Sequence, residues 1–244
     1  LGIFARNVFE GEKMATVLIT GANRGLGLEF CKQYAVDGWQ VLACCRLPQA
    51  ASELLRFAEQ YPQISVLALD VEDFTQIEQL AVQLHDTPID VLINNAGVYG
   101  DSAGHGFGQL DYSTWTKTLA INVQAPVKMA EAFLPHLKRG DKKLLVSISS
   151  LMGSIADNSS GGSIIYRSSK AALNAAMKSI AIELKEQAVG VLIFHPGWVK
   201  TDMGGDNAPL EAVQSVAGMR QAISAFSLEQ AGSFVKYDGT PLPW

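Results

Sequence analysis

A chain of 244 residues, 48% apolar and 18% charged, is long enough for one large α/β domain or two small ones and apolar enough for a substantial core. A formal net charge of −5 with a pI near 5.4 leaves no basic footprint for nucleic acid or an anionic membrane. Its apolar runs are strand-sized, which excludes a membrane-spanning helix. The three cysteines, Cys31, Cys44 and Cys45, are odd in number and two are adjacent. That pattern argues against a disulfide framework and for a reducing cytoplasm. No metal-ligand spacing occurs among the cysteines and the four histidines.

Residues 1–13 differ in character from the rest of the chain and carry no basic segment with a long apolar stretch, so they do not read as a secretory signal. They are expected to be a disordered or non-native extension, with Met14 directly before the first strand. From there, short apolar runs predict strands at 16–20, 40–44, 65–69, 91–94, 143–147, 190–194 and 234–237. Most are apolar throughout, as expected of a parallel sheet covered on both faces. Helical patterns fall between them at 26–36, 52–60, 74–85, 113–137, 165–187 and 209–225. Repeated βα order with right-handed crossovers predicts an α/β fold: a three-layer αβα sandwich around a doubly wound, mainly parallel sheet of about seven strands. No linker divides it, so 14–244 reads as one domain. Glycine-rich loops at 100–108, 158–162 and 204–205 would all follow strands at their carboxyl ends, where ligands bind in open α/β sheets.

Between the first strand and helix lies Thr20-Gly-Ala-Asn-Arg-Gly-Leu-Gly27. Its spacing is Gly-x-x-x-Gly-x-Gly, not the more familiar Gly-x-Gly-x-x-Gly. Gly21, Asn23, Arg24, Gly25, Leu26 and Gly27 would form a tight turn that brings a phosphate against the helix N-terminus. A plain tight turn is the alternative. About twenty residues on, an acidic residue would bind a ribose 2′-hydroxyl. The second strand instead ends Cys44-Cys45-Arg46, with no carboxylate. Arg46, with Arg24, suits a 2′-phosphate, so NADPH is expected in preference to NADH. Two solvated arginines are the other possibility.

The third strand ends at Leu69-Asp70-Val71 and the fourth at Asn94-Asn-Ala-Gly97. Asp70 can accept a hydrogen bond from an adenine amino group, or cap the helix near Phe74. Asn95, Ala96 and Gly97 offer a floor of small residues on which a flat ring can lie. Tyr166 and Lys170 stand four residues apart in Tyr-Arg-Ser-Ser-Lys, on one face of a helix and one turn apart. A phenol with a pKa of about 10 is a weak proton donor at neutral pH, and an ammonium one turn away would lower it.

The set TGxxxGxG, NNAG, a helical Asn, Ser-Ser, YxxxK and Pro-Gly resembles the short-chain dehydrogenase/reductase family over essentially all of 14–244. Tyr166-Arg-Ser-Ser-Lys-Ala-Ala-Leu-Asn174, His195-Pro-Gly-Trp-Val-Lys-Thr-Asp-Met203 and the ending Tyr237-Asp-Gly-Thr-Pro-Leu-Pro-Trp244 are similar to its sniffer-type carbonyl reductases and bacterial C-factor proteins. The resemblance implies a catalytic set of Asn122, Ser150, Tyr166 and Lys170. Tyr166 would protonate a carbonyl oxygen as hydride reaches its carbon, and Ser150 would steady the developing alkoxide. Lys170 would lower the tyrosine pKa and hold the nicotinamide ribose, and Asn122 would hold a water leading from Lys170 to solvent.

Ser150 lies sixteen residues before Tyr166, a few more than is usual in the family, with the excess in 157–162. Ser149 is its neighbouring rival; the Leu-Met-Gly after Ser150 favours Ser150. By the same resemblance Pro196 and Gly197 would turn the chain toward the nicotinamide, and the Val199 backbone and Thr201 would contact its carboxamide or the pyrophosphate. Thr201 can alternatively cap the next segment.

Tyr99, Phe107, Leu151, Met152, Trp198 and Met203 are candidates for an apolar substrate cleft, or for ordinary packing. His105 reads as a solvated loop residue. The expected activity is NADPH-dependent reduction of an aldehyde, ketone or quinone. The alternative is a nucleotide-binding regulatory protein of C-factor type. The family likeness further implies a cytoplasmic homodimer through the helices at 113–137 and 165–187, the second rich in alanine at 171, 172, 175, 176 and 181.

Overall fold

The computed structural model describes residues 14–102, 104 and 106–244; the 1–13 extension and His105 lie outside the described residues. Seven strands form one sheet in the order β3-β2-β1-β4-β5-β6-β7, and every pairing is parallel. They are β1 (Thr16–Thr20), β2 (Gln40–Cys45), β3 (Ile64–Ala68), β4 (Val91–Asn94), β5 (Leu144–Ile148), β6 (Gly190–His195) and β7 (Ser233–Lys236). Three of the predicted strands are offset by one residue, and the sheet is wholly rather than mainly parallel.

Helices cover both faces. α1 (Gly25–Val36), α2 (Ser52–Gln60) and α7 (Ala212–Ala225) pack Phe30, Leu54 and Met219 against Val17, Ile19 and Val146 on one side. α3 (Phe74–Gln83), α5 (Ala125–Arg139) and α6 (Ile164–Leu184) pack Ile77, Phe133 and Met177 against Leu18, Leu92 and Leu145 on the other. Strand residues thus alternate between two apolar layers, so both strand faces are apolar and no polar alternation appears. After β3 the chain passes β2 and β1 to reach β4, so the strand order reverses between β1 and β4. Such folds bind ligands beyond the carboxyl ends of the strands at that reversal.

The predicted helix at 113–137 is not continuous. It divides into α4 (Tyr112–Leu119), a π-helical turn (Ala120–Gln124) and α5. Pro126 supplies the reason: it has no N–H to give the carbonyl four residues back, that of Asn122, and its ring crowds the same carbonyl. The helix widens by one turn there, and Asn122 is inside it.

Candidate active site

The glycine turn runs from β1 into α1, with Gly21 and Gly25 at positive φ. Gly27 is required by close approach: a Cβ there would lie 2.1 Å from the Gly21 carbonyl oxygen and 2.6 Å from the Asn95 amide nitrogen. Asn95 braces this turn, its side-chain amide donating to the carbonyls of Thr20 (2.8 Å) and Gly21 (3.2 Å). Thr20 returns the brace, its hydroxyl accepting from the Asn95 and Ala96 amides at 3.0 Å each. The side chain of Asn95 is therefore spent on tying two loops together, which leaves Ala96 and Gly97 as the small floor. Thr20 has a structural part here that glycine spacing alone does not reveal.

Arg24 pairs with Asp202 on the loop after β6, and the Thr201 methyl packs over Gly25. Arg46, exposed at the end of β2, makes no hydrogen bond or ion pair with the other described residues. Asp70 does not cap α3. Asp73 does, accepting from the Thr75 and Gln76 amides, while Asp70 accepts from the Glu72 amide in a local turn. The Thr201 hydroxyl donates to the Val199 carbonyl and accepts from the Gly204 amide, so it does fold its own segment. Gly197 takes a positive φ after Pro196, and the Pro196 carbonyl accepts from Ser215 at 2.6 Å.

Asn122, Ser150, Tyr166 and Lys170 are all buried. The Asn122 side chain is fully engaged: it accepts from the Val98 amide (2.9 Å) and donates to the Val98 carbonyl (2.8 Å) and the Ser169 hydroxyl (3.0 Å). Its main-chain carbonyl has no regular partner four residues on, where Pro126 lacks an N–H. Lys170 donates to the Ile148 carbonyl at 2.9 Å, and its ammonium lies 5.6 Å from the centre of the Tyr166 ring. A Cβ on Gly97 would be 3.6 Å from that ammonium and 3.2 Å from Asn122 Oδ1. The floor of small residues therefore meets Asn122 and Lys170 at Gly97. The neighbouring Ser149 hydroxyl donates to the Asn174 side chain at 2.6 Å. The Ser150 hydroxyl accepts from the Met152 amide at 3.1 Å, capping the turn at Leu151–Gly153, and lies close enough to Tyr166 to lower the phenol's pKa.

The electrostatics correct one expectation. Burial pushes the Tyr166 phenol up to about 12; the Ser150 hydrogen bond opposes this and Tyr99 adds to it. Burial also pulls the Lys170 ammonium down to about 8. Low dielectric disfavours the charged form of each, and burial is the leading cause of both shifts.

Of the expected cleft residues, two reach Tyr166: the Tyr99 ring, 4.8 Å between centroids, and Met203, whose sulfur accepts weakly from the phenol at 3.8 Å. Trp198 donates to the Gly204 carbonyl at 2.8 Å, and Phe107 is 94% exposed. Among the described residues no cluster of His, Cys, Asp or Glu could hold a metal ion, and no helix is long and apolar enough to cross a membrane.

The short chain dehydrogenase family model matches residues 15–211. The chain belongs to the short-chain dehydrogenase/reductase family. It is an oxidoreductase of that family, and its αβα fold is the one that its solved relatives share. The carbonyl reductase Sniffer of D. melanogaster superposes with a TM-score of 0.88 at 37% identity, covering 95% of this chain and 100% of that one. An NADPH-bound carbonyl reductase from chicken fatty liver also superposes at 0.88, with 31% identity over 96% of this chain and all of the other. C-signal of Myxococcus xanthus is 43% identical over 157 residues, 64% of this chain and 93% of that protein.

Proposed function

We propose that this protein is an NADPH-dependent carbonyl reductase in which Tyr166 protonates the oxygen of an aldehyde, ketone or quinone. The observation that carries the reading is the meeting of Asn122 and Lys170 beside Gly97, with the Tyr166 ring next to the Lys170 ammonium, at the point where the strand order reverses.

The residues fit a dinucleotide. Gly21 to Gly27, including Asn23, Arg24, Gly25 and Leu26, hold the pyrophosphate at the start of α1, with no room for a side chain at Gly27. Arg46 and Arg24 would hold the 2′-phosphate, the latter now paired with Asp202. Asp70 and Val71 would border the adenine, and Ala96 and Gly97 the ribose of the nicotinamide, which Lys170 would bind. Pro196, Gly197, Val199 and Thr201 face the carboxamide. When bound, the nicotinamide supplies the hydride.

The chain's own residues do the rest. Tyr166, held up at about 12, stays protonated at neutral pH, which is the form a donor needs. As the carbonyl oxygen becomes an alkoxide its basicity passes that of a phenolate, so the proton moves downhill even from a weakly acidic tyrosine. Ser150 donates to the same oxygen, a contact on the scale of about 2.7–4 kcal/mol for one such donor. The Lys170 ammonium then neutralises the phenolate. The Asn122 carbonyl holds the water that returns a proton through Lys170. Tyr99 and Met203 beside the phenol suit an apolar substrate.

Arg46→Asp is expected to weaken NADPH binding by roughly ten- to hundredfold, the value of losing a charge-assisted contact, while sparing or improving NADH. Titrating nicotinamide fluorescence with both nucleotides checks it; an unchanged ratio removes Arg46 as the phosphate reader. The reading also places the protein in the cytoplasm, consistent with three buried free cysteines. It further assembles a homodimer through α5 and α6, and a monomer mass by light scattering at micromolar concentration would exclude that assembly. A nucleotide-binding regulatory role is the second reading, favoured by the likeness to C-signal; the intact set of Asn122, Ser150, Tyr166 and Lys170 favours the enzyme.

A further inference from the structure

We propose that Asp101, on the loop after β4, is a positioning residue that fixes Tyr166 through the first turn of α6; this rests on the reading of Tyr166 as the proton donor. α6 begins without a local cap. Ser163, which precedes it, is left-handed at φ 45° and its side chain caps nothing. The opening amides of the helix therefore need an acceptor from elsewhere.

Asp101 supplies it across 65 positions of sequence, its Oδ2 accepting from the Tyr166 amide at 2.8 Å. Its Oδ1 accepts from the Ile165 amide at 3.3 Å. A carboxylate also suits the positive end of the helix dipole.

The two residues before Asp101 fix the same place. Gly100 has φ +80°, and a Cβ there would stand 2.4 Å from Thr118 Oγ1 and 2.7 Å from Ile165 Cγ2. The chain is thus pressed between α4 and α6, where only glycine fits. The Tyr99 ring stacks obliquely on Tyr166, and its hydroxyl is 2.7 Å from the Ser163 hydroxyl. Tyr99, Gly100 and Asp101 therefore grip the Tyr166 ring, the side chain before it in α6 and its own amide.

α6 has 21 residues and a well-buried face. Loss of one cap leaves the helix standing and loosens only its first turn, where Tyr166 sits. The damage should therefore appear in the chemical step more than in stability or nucleotide binding.

The test compares Asp101→Ala and Asp101→Asn with the parent by steady-state kinetics and NADPH titration. Amide hydrogen exchange at Tyr166 is followed by NMR in tyrosine-labelled protein, with the signal assigned by its absence from Tyr166→Phe. Asp101→Ala is expected to lower kcat by roughly ten- to hundredfold, the scale of a misplaced catalytic group. Its NADPH affinity should stay within about twofold, and Tyr166 amide exchange should accelerate roughly tenfold or more as the opening turn frays. Asparagine keeps one oxygen for the 2.8 Å contact and should recover most of both losses. An alanine variant with parental kcat and unchanged exchange overturns the proposal. So does an asparagine variant as impaired as alanine. If the parent itself turns over no carbonyl, the reductase reading fails, while the exchange data still decide whether Asp101 holds Tyr166.

Discussion

Tyr166→Phe is expected to reduce NADPH-dependent carbonyl reduction by roughly 10²–10⁴-fold, the contribution of a positioned general acid, while NADPH binding changes little. The ring remains, so stacking on Tyr99 and burial in α6 are kept. The hydroxyl lost donates weakly to the Met203 sulfur, a contact that does not carry the fold. Parallel measurement of kcat and the NADPH dissociation constant separates the two effects. A phenylalanine variant with more than about a tenth of parental kcat would mean that the proton comes from another group.

Lys170→Met should be equally damaging to turnover, roughly 10²-fold or more in kcat as a preorganised charge is lost, yet it should not destabilise the protein. The direction of the shift sets the sign. Lys170 falls from an ordinary 10.5 to about 8 on burial, so between those values the unfolded chain holds a proton that the folded chain has released. Stability therefore rises with pH across that window. Below it, the full cost of keeping a buried ammonium is present. Removing the ammonium relieves a penalty of about 1–3 kcal/mol at neutral pH, offset in part by the Ile148 carbonyl that loses its donor. Urea unfolding without nucleotide should show an equal or higher midpoint for the methionine variant, and a clear drop would show that Lys170 is net stabilising.

The same shift sets a pH dependence for the parent. Reduction needs both the Tyr166 proton and the Lys170 charge. Tyr166 keeps its proton up to about 12, so Lys170 governs the alkaline limb, and kcat should decline as pH rises through about 8. The limb should be missing from the methionine variant's residual activity.

The sheet was readable because its strands are continuous apolar runs between glycine- and proline-marked turns, as in 16–20 and 190–194. Ends moved by a residue where a strand begins beside a polar or loop residue, as at Lys143 and Ser233. The break at Ala120–Gln124 had a visible cause in Pro126, but proline also suits the first turn of a helix, so its position alone does not reveal a π turn.

Within the candidate site, Gly97 lies beside Lys170 and Lys170 beside the Tyr166 ring. What spacing could not convey was burial. The Tyr-x-x-x-Lys pattern predicts attraction between two groups and says nothing of the desolvation that raises one and lowers the other. Nor could it show that the side chains of Asn95 and Asn122 are consumed as braces, or that Asp73 rather than Asp70 caps α3. Those facts depend on backbone groups brought close by the fold. Asp101 carries no signal in the sequence at all, since a lone aspartate in a glycine-rich loop reads as solvated, and its partner is the amide of a residue 65 positions away.

The most direct measurement is the oxidation of NADPH by the purified protein with a panel of apolar aldehydes, ketones and quinones, product alcohol or hydroquinone being counted against NADPH consumed. A carbonyl reductase consumes NADPH with at least one member of the panel in a one-to-one ratio with product. Tight NADPH binding with no turnover of any member would contradict that activity and leave a nucleotide-binding regulatory protein in its place.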